Sequence, residues 1–257
     1  MALLTCDPAA PVARLTLSRP EKLNALSPAL LEELIEAAHE LDARPGVKVA
    51  VIRGEGRAFC AGFDLGSFAS QDGQGPSPRA TADLGRRMAE AVTQMRALTI
   101  ARIHGHCVGG GLVLAAACDL RVAADDAVFS IPELELGIPL AWGGIPRLVR
   151  EIGPAMTKEL VLTCRPFGAH EAHALGFVNR VVPAAELDAA ADALAEQLAT
   201  RSAFTLSATK THVNAVAEEL ASTAGATRDA DVLAAAVADP DSREVAIRYL
   251  EARAGAR

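Results

Sequence analysis

The chain has 257 residues, 51% hydrophobic and 22% charged, which suits one large globular domain or a domain with a tail. Its formal net charge of −7 disfavours a general nucleic-acid binder, which would be basic. There is no run of about 18 uncharged apolar residues to span a membrane, and Met1–Ala10 lacks the basic start and apolar run of a signal peptide, so a cytoplasmic protein is expected.

Val12–Ser18 alternates apolar and polar residues and reads as a strand, followed by a turn at Arg19-Pro20-Glu21-Lys22. Ser27-Pro28 is a helix start, an N-cap residue before a proline at the first helical position. Leu30, Leu31, Leu34, Ala38 and Leu41 then share one helix face, and Arg44-Pro45-Gly46 ends the helix. Val47–Arg53 is nearly continuous in apolar residues and reads as a buried strand. Gln71–Pro78, rich in Gly, Gln, Ser and Pro, is expected to be a mobile loop before a helix at about Ala80–Leu98. Ile100–Gly105 is a third strand running into Gly109-Gly110-Gly111. Leu112–Ala117, apolar all round, reads as a buried helix, and Leu120–Ala123 as another strand. The recurrence of strand, turn and helix makes this an α/β chain. From Ala184 to Arg257 strand signals stop, and an Ala-, Leu- and Glu-rich helical tail is expected to pack on its own domain or on a neighbouring subunit.

Several familiar motifs are absent. There is no GxxxxGK[ST] phosphate loop and no GxSxG nucleophile elbow. His170 and His173 are three apart and miss the HExxH spacing, which leaves a solvated helix face as the reading of that segment. His104 and His106 read as polar loop residues. Cys6, Cys60, Cys107, Cys118 and Cys164 are odd in number and form no CxxC pair, so they read as buried free thiols.

Four segments in register carry more information: Arg19–Leu26, Phe59-Cys60-Ala61-Gly62-Phe63-Asp64-Leu65, Gly105–Asp119 and Phe129–Leu148, with Gly176–Val182 after them. In order and spacing, from about Val12 to Val182, they resemble the crotonase (enoyl-CoA hydratase/isomerase) family. The resemblance implies an α/β fold, a spiral of ββα repeats over residues 1–183, with a helical C-terminal trimerisation region over 184–257 and a homotrimer or homohexamer as the assembly. It implies an acyl-CoA substrate and no separate cofactor. The thioester oxygen would be held by the backbone N–H groups of Phe63 and Gly110. Lys22, Leu23, Ala25, Ala61, Asp64 and Leu65 would meet CoA, and Val113 and Trp142 would line the acyl pocket. Tyr249-Leu250-Glu251-Ala252 matches a family segment that reaches CoA from a neighbouring subunit, but with alanine in place of the family's lysine.

Physical chemistry agrees with the oxyanion assignment. Glycine lets the backbone approach a ligand, and a helix N-terminus presents unpaired N–H donors where enolate charge develops. Family hydratases use two carboxylates. Here the first position is Val113 and the second is Glu133, in Ile131-Pro132-Glu133-Leu134-Glu135-Leu136-Gly137. A single carboxylate suits proton removal at C2 of a 3-enoyl-CoA and return at C4, so a double-bond isomerase is expected. A hydratase and a non-catalytic acyl-CoA-binding protein are the alternatives. In an extended segment Glu135 would share a face with Glu133 and is the rival base.

Overall fold

The computed structural model describes residues 2–66 and 77–255. Its architecture follows from how each turn of the chain feeds two sheets. The larger has the order β1 (Leu4–Asp7), β2 (Val12–Leu17), β3 (Val49–Gly54), β4 (Leu98–Ile103), β6 (Leu120–Ala124) and β9 (Arg180–Val182). All its neighbours are parallel except β1, which pairs antiparallel with β2 at the edge. The smaller has the order β5 (His106–Val108), β7 (Val128–Ser130), β8 (Phe167–Gly168). The chain therefore passes from a long strand of the main sheet to a short strand of the small one and back, which gives the crotonase-type spiral.

The local reasons match the sequence. Helix α1 (Pro28–Asp42) begins where the Ser27 hydroxyl accepts the Leu30 N–H, and it buries Leu30, Leu31, Leu34, Ala38 and Leu41. Helix α2 (Pro78–Gln94) is capped in the same way by Ser77. Of the loop expected at Gln71–Pro78, positions 71–76 lie outside the described residues, and Ser77 and Pro78 form this helix start. Every residue of α3 (Gly110–Ala117) is buried, as its uniformly apolar composition requires. Helix α4 (Gly144–Thr163) is broken at Gly153, whose φ of 75° departs from helix just before Pro154.

After Pro183 the chain is helical: α6 (Leu187–Ala199), α7 (Ala203–Leu220), α8 (Asp229–Ala238) and α9 (Pro240–Gly255), with α5 (Ala169–Ala174) preceding β9. These helices dock on the core. Lys210 of α7 is buried, and its Nζ donates to the Asp119 carboxylate at 2.8 Å and to the Ala97 carbonyl at 3.1 Å. Asp192 of α6 pairs with Arg14 of β2, and α8 packs against α2. No helix among the described residues is long and apolar enough to cross a membrane. Cys60, Cys107, Cys118 and Cys164 are buried free thiols and Cys6 is half-buried.

Candidate active site

The site is built where two loops leave the sheets side by side. In the first, the Arg19–Leu26 turn is locked onto the Phe59–Leu65 segment. The fully buried Asn24 carboxamide donates to the carbonyls of Glu55 and Ala58, both at 2.8 Å, and accepts the Arg19 N–H. Arg19 pairs with Asp64 at 2.8 Å. Leu26 and Phe63 form an isolated parallel bridge, in which Leu26 N–H donates to Gly62 and Asp64 N–H donates to Leu26. The Phe63 N–H therefore points to the side away from Leu26.

The second loop arrives at Gly109 with φ +50°, its N–H bonded to Ser130. Gly110 follows as the first residue of α3, where helix N–H groups have no intrahelical acceptor. The loops nearly touch: a Cβ on Gly62 would lie 2.9 Å from the Val108 oxygen and 3.6 Å from the Gly110 nitrogen. Glycine is required at Gly62 on both counts, since its φ is also +88°.

These loops form one wall of a cavity of about 1180 Å³. Of the residues singled out in the sequence, Leu23, Ala61, Phe63, Leu65, Gly110, Val113, Glu133 and Trp142 line it. Lys22, Ala25 and Asp64 do not. Lys22 is exposed on the turn, Ala25 is buried with its carbonyl accepting from Arg19, and the Asp64 carboxylate is engaged by Arg19 and the Gly66 N–H. Tyr249 and Leu250 of α9 line this same chain's cavity.

Glu133 sits beside Gly109 so closely that a Cβ there would collide with its Oε1. The residue as a whole is half-buried, yet its Oε2 is enclosed and has no hydrogen-bond partner among the described residues. Burial pushes the carboxyl up from 4.5 to about 7, against a smaller opposing effect of its own backbone N–H. The segment after Pro132 is a turn and not an extended strand, with Leu136 N–H donating to both Pro132 and Glu133 carbonyls. Glu135 is consequently not set on the Glu133 face by strand alternation. It is exposed and also lines the cavity. Val113 is buried and offers no proton-transfer group.

Trp142 adopts φ +62° and Gly143 φ +69°, a left-handed pair that costs a bulky residue roughly 1–2 kcal/mol. Arg147 holds the turn, donating to the carbonyls of Gly143 at 3.1 Å and Trp142 at 3.3 Å, while the Asp229 carboxylate of α8 accepts the Gly143 N–H at 2.8 Å. Sequence reasoning missed Arg147 and Asp229, and it missed Ser130, Cys164 and Pro166 as residues that line the cavity. It also left His106 as a loop residue. His106, Val108, Val128 and Ser130 share one face of the small sheet, set by the parallel pairing of β5 with β7, and that face lines the cavity.

Comparison with known proteins decides the family. The enoyl-CoA hydratase/isomerase family model matches residues 7–256. The chain belongs to the enoyl-CoA hydratase/isomerase family. Within it, the chain is 38% identical over 210 residues to a peroxisomal Delta(3,5)-Delta(2,4)-dienoyl-CoA isomerase of Arabidopsis thaliana, covering 77% of this chain and 76% of that protein. It is 37% identical over 243 residues to the probable enoyl-CoA hydratase echA8 of Mycobacterium bovis, covering 95% and 93%. A crystal structure of an enoyl-CoA hydratase from Mycobacterium avium subsp. paratuberculosis superposes with a TM-score of 0.87 at 26% identity, covering 96% of this chain and 98% of that one. Hydratase names thus outnumber isomerase names among these relatives, while this family member has Val113 and Glu133 lining one cavity.

Proposed function

We propose that the protein binds an acyl-CoA and shifts the double bond of an enoyl-CoA, with Glu133 as the only base. The observation that carries this reading is the Glu133 carboxyl: enclosed, unpartnered at Oε2, and raised to about 7, where a group is poised to take and return a proton. In this scheme the thioester oxygen lies between the N–H groups of Phe63 and Gly110, which stabilise the dienolate formed when Glu133 removes a C2 proton. The same carboxyl returns the proton at C4. Lys22, Ala25 and Asp64 act, in this reading, by shaping the CoA-facing turn.

The hydratase reading has one observation of its own in the structure, because Glu135 lines the same cavity as Glu133 and would supply a second carboxylate. Val113→Glu separates the two. It places a second carboxylate at the family hydratase position and should add measurable water addition to a 2-enoyl-CoA that the wild type lacks. It should also lower the melting temperature, since Val113 is buried and the change puts a carboxyl there. Glu135→Gln should leave isomerisation intact. Isomerisation lost with Glu135→Gln and kept with Glu133→Gln would move the base to Glu135. A third possibility, binding without turnover, is tested by thermal stabilisation with an acyl-CoA in the absence of conversion.

The assembly proposed is a closed homo-oligomer, a trimer or a dimer of trimers, formed by the helical region from position 184. Val213, Val216 and Leu220 of α7 follow helical spacing and are 61%, 57% and 79% exposed. An apolar stripe of this kind on one surface helix calls for a partner. Sedimentation at micromolar concentration should give a mass of three or six chains; a clean monomer would contradict it.

A further inference from the structure

We infer that Trp142 closes the acyl end of the cavity and restricts the reaction to short or compact enoyl groups, with Arg147 and Asp229 holding the indole in place. The inference rests on the acyl-CoA reading above and names its substrate class. The indole fills the space between two helices. A Cβ on Gly85 of α2 or on Gly110 of α3 would overlap the ring. Glycine inside a helix is poorer than alanine because it loses more backbone freedom, and the ring explains its presence at Gly85.

The ring stands edge-on to Phe63 at 6.0 Å and lies against Gly110, the two residues whose N–H groups are assigned to the thioester oxygen. An acyl chain extending from a carbonyl held there meets the indole within a few carbons. A longer unbranched chain must pass the ring to extend further.

The turn that carries the ring is tied down. The left-handed backbone at Trp142–Gly143 is bound on its carbonyl side by Arg147 and on its N–H side by Asp229. Arg147 is buried, its side chain otherwise reaches Thr93 at 3.3 Å, and its Nε has no partner among the described residues. The backbone that carries the indole is therefore held by a buried guanidinium, and the ring itself is wedged against Gly85 and Gly110. Arg147 and Asp229 act through Trp142 and are positioning residues.

The test uses the full-length protein and 3-enoyl-CoA thioesters from butenoyl through hexenoyl to dodecenoyl. The wild type should lose about tenfold or more in kcat/KM between hexenoyl and dodecenoyl. Trp142 is the only tryptophan, so its emission should change when a short thioester binds. Trp142→Ala should raise the dodecenoyl-to-hexenoyl ratio by about tenfold, and Trp142→Phe by less, which covers the case in which the alanine variant fails to fold. Arg147→Met should loosen the chain-length profile and shift the tryptophan emission, and Arg147→Lys should partly restore both. A purely structural arginine would change melting temperature alone. Equal efficiency at every length in the wild type, or an unchanged profile in folded Trp142→Ala or Trp142→Phe, overturns the inference and leaves the acyl-CoA reading standing. Absence of thermal stabilisation by any of the thioesters overturns both.

Discussion

Glu133→Gln should remove isomerase turnover and, at the same time, stabilise the protein above neutral pH. The amide keeps the shape of the carboxyl but cannot carry the proton, and general acid–base catalysis contributes about 10²–10⁴-fold, so kcat should fall by at least that range. Binding of an acyl-CoA should change little, because the donors proposed for the thioester oxygen are main-chain groups. The stability effect follows from the raised carboxyl. Between 4.5 and about 7 the folded protein keeps the Glu133 proton while the unfolded chain has lost it, so stability falls as pH rises through that window and is constant above it. The full penalty at pH 8 is up to about 3 kcal/mol, and Glu133→Gln should recover much of it there and none of it below pH 4. Denaturant unfolding at the two pH values, beside the turnover assay, reads both effects. In the wild type the pH dependence of kcat/KM should rise with a midpoint near the Glu133 value of about 7.

Gly110→Pro should reduce turnover by about 10²–10³-fold, the loss expected for one oxyanion donor. The position is the first of α3, where proline suits the backbone and the missing N–H breaks no helical bond. Both Gly110→Pro and Gly110→Ala place a Cβ against the Trp142 ring, but only the proline removes the N–H. The difference between the two variants in kcat and in acyl-CoA affinity therefore reads the loss of the N–H together with the proline Cδ that takes its place. Equal losses in the two would make Gly110 a packing glycine.

The fold was legible where composition leaves one solution. The all-apolar run of α3 could only be buried, and Ser27-Pro28 marked a helix start that the structure caps through Leu30. Strands of two to four residues escaped, because β1, β5, β7 and β8 are too short for alternation to register and are defined by their partners. In the site, glycine pattern and motif register pointed to Gly110, Phe63 and Glu133, since each sits in a segment with its own local signature. Arg147 and Asp229 carry no such signature: one lies on α4, the other on α8, and only tertiary packing brings them to the Trp142 turn. The Arg19–Leu26 segment shows the opposite case. Its Arg19 and Asn24 belong to the motif, yet their side chains bond protein groups and fix the loop.

The central claim is that one carboxylate moves a proton within an enoyl thioester and that no second carboxylate activates water. Its most direct measurement sets wild-type turnover of a 3-enoyl-CoA against hydration of the matching 2-enoyl-CoA in the same buffer at pH 8. The expected result is conversion of the 3-enoyl to the conjugated 2-enoyl thioester, with the 2-enoyl substrate left unhydrated. Rapid hydration of the 2-enoyl-CoA with Val113 in place, and no conversion of the 3-enoyl substrate, would contradict it.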